Sequence, residues 1–101
     1  MPIRDTLKQH DVADEKQLRT ELEAELRLPR DTGEPEIVIE RPNPATTHLF
    51  VIWSKWEHLE QMVRSRIIVD AYAETMGDEE TNKVTVSMGL TPAEASRLGI
   101  T

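Results

Sequence analysis

The chain has 101 residues, 38% hydrophobic and 31% charged, with a net charge of −7 and no cysteine. That size is one domain, which buries roughly two-thirds of the surface its unfolded chain would expose. The composition excludes disulfides, thiol catalysis and cysteine-based zinc sites, and an acid excess without a block of one sign repels phosphate backbones and anionic lipid. Neither nucleic acid nor membrane is therefore expected as a partner. The longest apolar runs, about five residues, fall far short of a membrane span. The opening stretch MPIRDTLKQHDVADE lacks the apolar run of a signal peptide, and the expected compartment is the cytoplasm.

The first helix is predicted from Val12 to Leu28. Asp11 is its candidate N-cap, and Pro29 is its stop. Glu15, Arg19, Glu23 and Arg27 alternate in sign at spacings of four on a solvated face. Leu18, Leu22 and Leu26 make a separate, narrow apolar stripe that needs something to lie against. The segment 1–30 is thus expected to dock on the sheet or on a partner; whether Ile3 and Leu7 extend the helix stays open.

PRDTGEPE reads as a loop. EIVIER, residues 36–41, reads as a strand, PNPATT as a turn, and HLFVIW as a second strand through Trp53. So short a connection predicts an antiparallel hairpin. Leu49 to Trp53 is apolar without alternation, which predicts cover on both faces of that strand.

Ser54 and Glu57 have the spacing of a capping box. Trp53 would then precede the cap, and Trp56 would fall in the first turn of a helix from Lys55 to Thr75 that stops at Gly77. Trp56, Leu59, Met62, Val63 and Ile67 mark one face of that helix. Ile68, Tyr72 and Met76 mark another, so its second half is expected to be buried on most sides. GDEETNK reads as a loop. Lys83 to Met88 alternates and predicts a half-buried strand with Val84, Val86 and Met88 on one side. Thr91-Pro92-Ala93-Glu94 is a second capping box with proline at the first helical position, opening a short helix from Pro92 to Leu98 that ends at Gly99.

Motifs for chemistry are lacking. His10, His48 and His58 have no metal-ligand spacing, and His58 falls on the polar side of the second helix. Asp78-Glu79-Glu80 lacks the spaced oxygens of a calcium loop. There is no nucleophile elbow and no glycine-rich phosphate loop. No catalytic residue, cofactor or metal is therefore assigned, and the sequence leans away from an enzyme without deciding it. Arg66 and Asp70, four apart at the margin of an apolar face, read as an intrahelical ion pair or as a pair completed by a partner. All four aromatics lie between Phe50 and Tyr72 and are needed first as core, though aromatics also favour contact surfaces.

The expectation is a single α+β domain. A small, mainly antiparallel three-stranded sheet packs on one long helix, with an N-terminal amphipathic helix and a short C-terminal helix; residues 36–101 form a β-β-α-β-α core. Its apolar content exceeds what one such sheet and helix hide. The expected function is therefore a non-enzymatic, self-associating protein-interaction module, a homodimer or a complex with another protein. Trp53, Trp56, Ile68, Tyr72, Met76, Arg66, Asp70, Leu18, Leu22 and Leu26 are the candidate interface. The alternative is a ligand-binding or catalytic domain at the Trp53/Trp56 corner with Arg66, Asp70 or His58. Nucleic-acid binding would need a basic patch around Arg64, Arg66 and Lys83.

Overall fold

Two hydrophobic periods along the chain give two kinds of element. In a computed structural model, residues 12–28 and 33–100 are described. They form α1 (Val12–Arg27), β1 (Glu36–Asn43), β2 (Thr46–Ile52), α2 (Gln61–Met76), the single turn α3 (Asp78–Thr81), β3 (Val84–Leu90) and α4 (Pro92–Leu98). The candidate cap Asp11, the stop Pro29, Ile3, Leu7, His10 and the start of the PRDTGEPE loop lie outside the described residues.

The sheet has the order β1-β2-β3. β1 and β2 pair antiparallel, with Val38 opposite Phe50, as a turn of two residues demands. β3 runs parallel to β2, because a whole helix carries the chain back across the sheet before it pairs again. The result is the expected α+β domain with a mixed sheet. Thr47 pairs with Val84 but His48 with Val86, so Thr85 is an extra residue in β3. This bulge corrects one expectation: Val84 packs with the main core, whereas Met88 belongs to the cluster on the opposite face.

On the first face, Leu49, Val51, Trp53 and Trp56 pack with Leu22 of α1 and with Ile67, Ile68, Ala71 and Tyr72 of α2. The narrow stripe of α1 therefore finds its cover within the chain. Leu22 is fully buried, and Leu18 and Leu26 are half-buried against the same cluster. On the second face a smaller cluster joins Ile52, Leu90 and Ala95 of α4, flanked by Val38, Phe50, Met88 and Ile100. The strand around Val51 is covered throughout on one side. On the other it is covered at its Ile52 end and only half-covered at Phe50.

The start of the long helix differs from the sequence reading. Ser54 caps nothing. Residues Ser54–Trp56 form a 3-10 turn, and α2 begins only at Gln61. Both the backbone N–H and the hydroxyl of Ser54 donate to Glu34 Oε1, at 3.3 and 2.7 Å, so a carboxylate twenty residues upstream takes the place expected of Glu57. Met62 is 77% exposed and lies off the buried face. Nor is the second half of α2 buried on most sides: Glu74 and Met76 are exposed. One stripe of Arg64, Ile67, Ile68, Ala71 and Tyr72 is buried, at the spacing of a single helical face.

Candidate functional site

The tryptophan corner is built by β2 running past its last rung. Trp53 N–H still donates to Leu90 O, at 2.8 Å. The 3-10 turn then swings Trp56 inward, where its indole Nε1–H donates to Val51 O at 2.9 Å. The two rings meet edge to face, 5.2 Å between centroids and 84° between planes, an arrangement their quadrupoles favour. Both are buried. Beside them a shallow hollow of about 360 Å³ is lined by Glu21, Ala24, Glu25, Glu34, Pro35, Trp53 and Lys55. Two of its polar groups pair: Lys55 Nζ lies 2.9 Å from Glu21 Oε1 and 5.5 Å over the Trp53 ring.

Arg66 and Asp70 line a different, smaller hollow with Glu15, Lys16, Arg19 and Ile67. Arg66 does not reach along its own helix to Asp70. It donates instead to Glu15 Oε1 on α1, at 2.7 Å. His58 lines neither hollow, and it lies in the turn before α2 and not on the helix. The groups of the proposed ligand site are thus divided between two hollows or outside both. Among the described residues no three His, Cys, Asp or Glu side chains are placed to hold a metal ion. No helix among them is long and apolar enough to cross a membrane.

The most constrained polar group is one the sequence reading assigned to a surface patch. Arg64 is only 6% exposed. Its Nε–H donates to Leu59 O at 2.8 Å. Its Nη1 donates to Gly89 O at 3.0 Å and to Glu94 Oε1 at 2.7 Å. Buried and held by three hydrogen bonds, it cannot join Arg66 and Lys83 in an exposed basic patch; those two pair with Glu15 and Glu80. Glu94 also accepts from Thr91 N–H at 2.8 Å. That backbone hydrogen bond, then the one from Arg64, hold its carboxyl below the ordinary range, against a smaller opposing effect of burial. Arg64 opens the 64, 67, 68, 71, 72 stripe, but a charged residue at that place reads equally as a solvated head of the helix; only its tertiary contacts bury it.

No family model matches the chain, and neither a curated protein nor a solved structure matches it. Function has to be read from this molecule's own surfaces.

The predicted interface residues divide in two. Trp53, Trp56, Ile68, Tyr72 and Leu22 are buried in the core of the single chain, the role the aromatics were expected to fill first. Leu18 and Leu26 pack beside them. Met76, Arg66 and Asp70 remain exposed. A less fully covered apolar row lies on the second face of the sheet: Val38, Phe50 and Met88 lie side by side across the three strands, partly buried against the Ile52–Leu90–Ala95 cluster. The next row is Glu40, His48 and Val86, with His48 Nδ1 3.7 Å from Glu40 Oε1. Sequence reasoning treated Val38 and Met88 only as strand residues. Their cover depends on α4, which meets this face through Ala95 beside Ile52 and Leu90.

Proposed function

We propose that this chain is a non-enzymatic interaction module that associates with itself, in the first instance as a homodimer. The observation that carries the reading is the uneven cover of the sheet. One face is closed by α1 and α2, while on the other the Val38–Phe50–Met88 row is only partly buried beside α4. Apolar surface on a sheet face gains about 25 cal/mol for each Å² removed from water. A two-fold axis lets one surface patch serve both partners. The scatter of candidate polar groups over separate hollows supports a binding role over a catalytic one. We keep the cytoplasm as its compartment on the sequence argument alone, since a chain without cysteine needs no oxidising space.

Sedimentation equilibrium of the full chain over a rising concentration series tests this. The expected result is a mass of twice 11.6 kDa. A mass that stays at that of one chain into the high micromolar range would overturn it.

A further inference from the structure

We infer that two copies pair along β1, antiparallel about a two-fold axis midway between their Ile39 residues, and so join their sheets into one of six strands. The inference rests on the self-association reading but takes a different surface, the β1 edge, and leaves the Val38–Phe50–Met88 row, apart from Val38 on β1 itself, outside the contact.

The two edges of the sheet are unlike. Along β3 the chain closes its own edge. Gly89 N–H donates to Gln61 Oε1 and Gln61 Nε2 donates to Gly89 O, both at 2.8 Å, the exchange a neighbouring strand would make. Ser65 Oγ donates to Ser87 O one step along. The first turns of α2 thus stand where a fourth strand would lie.

Among the described residues, none hydrogen-bonds to the outer edge of β1 in this way. Trp53 N–H donates to Leu90 O and Thr47 N–H to Lys83 O, so odd-numbered residues of β2 turn their main-chain groups toward β3. Even-numbered ones turn toward β1, opposite Glu36, Val38 and Glu40. It follows from strand alternation that Ile37, Ile39 and, at the start of the bulge, Arg41 turn their N–H and C=O groups outward. Pro42 comes after these three and removes no donor from them, so the usual proline block on an edge is absent here.

Charge selects the register. A two-fold axis normal to the sheet keeps each face on its own side, so the axis passes midway between the two copies of one residue of β1. Centred on Val38, it would set Glu36 opposite Glu40 of the other copy. Centred on Glu40, it would set that carboxylate opposite itself. Like charges directly opposite destabilise a strand pair. Centred on Ile39, it sets Ile39 beside Ile39, Ile37 beside Arg41 and Val38 beside Glu40, with no acid facing an acid. As in every register that keeps the faces aligned, the outward-turned residues are its hydrogen-bonded pairs. Ile39 is 38% exposed, and its neighbour on that face, Ile37, already packs on the main core, so pairing would continue that core across the axis.

The test uses the full chain, whose lack of cysteine makes a single introduced thiol a clean probe. In the proposed register the two Ile39 Cα atoms lie about 5.5 Å apart, within disulfide reach. Ile39→Cys should form a covalent dimer under mild oxidation, and Thr85→Cys, exposed on β3, should not. Ile39→Pro removes two symmetry-related main-chain hydrogen bonds and should raise the dimer dissociation constant at least about tenfold, with circular dichroism unchanged; Ile39→Val should leave it unaltered. A dimeric wild type with no trapping at position 39 and no effect of Ile39→Pro would overturn the β1 pairing and leave self-association standing. A wild type that is monomeric throughout would remove both.

Discussion

Gly89 shows how closely single residues are specified. A Cβ at this position would lie 2.8 Å from Arg64 Cβ and 2.9 Å from the Trp56 indole nitrogen. The glycine is required by close approach, since the indole and the guanidinium stem both press on the strand. Gly89→Ala should cost on the order of 1–3 kcal/mol by overpacking, read as a lowered midpoint in urea with altered near-ultraviolet dichroism from the tryptophans.

Glu94 carries a pH dependence of definite sign. Its carboxyl titrates below the ordinary range in the folded chain. Its contribution is therefore complete above the unfolded value, about 4.3, and is lost as pH falls through the lower folded value. The side chain is 32% exposed, so solvent trims the effect. Wild type should exceed Glu94→Gln by roughly 1 kcal/mol at neutral pH. Denaturant titrations down the acid range should show that margin shrinking toward zero.

Elements are specified by local chemistry where their signals are self-contained. In α4, Thr91 Oγ1 accepts from Glu94 N–H, and Glu94 returns the bond to Thr91 N–H. Gly99 closes the helix in the left-handed conformation at φ 72°. All of these partners lie within eight residues, and the sequence reading of this helix holds to the residue. Ser54 and Glu57 carry the same pattern and fail. Trp56 is drawn into the core before a helix can start, and Glu34 reaches the Ser54 hydroxyl first. The two sites should respond differently to the same change. Thr91→Ala should lose about 1 kcal/mol, whereas Ser54→Ala, at an exposed hydrogen bond, should lose less and leave helix content unaltered; thermal melts followed by far-ultraviolet dichroism separate them.

At the scale of the whole molecule, α1 is a structural part of the domain. Leu22 is fully buried against α2 and the sheet, and Glu15 and Glu21 tie the helix to Arg66 and Lys55. Leu22→Ala should cost roughly 2–5 kcal/mol, with cooperative unfolding at a lower denaturant concentration. A loss near zero would mean that α1 contributes nothing to the fold. The sequence carried the three strands, the three longer helices, the hairpin, the second capping box and the amphipathic stripe of α1, because hydrophobic period, turn residues and caps act over a few neighbours; it read Gly77–Lys83 as a loop, where the single turn α3 forms. It could not say that β3 joins parallel, that a bulge turns Val84 to the other face, or that Arg64 is buried and Arg66 pairs across to α1. It also could not say which face of the sheet is less fully covered. Those outcomes depend on groups far apart in the chain meeting in one place, where burial and hydrogen bonding are settled by packing and not by local preference.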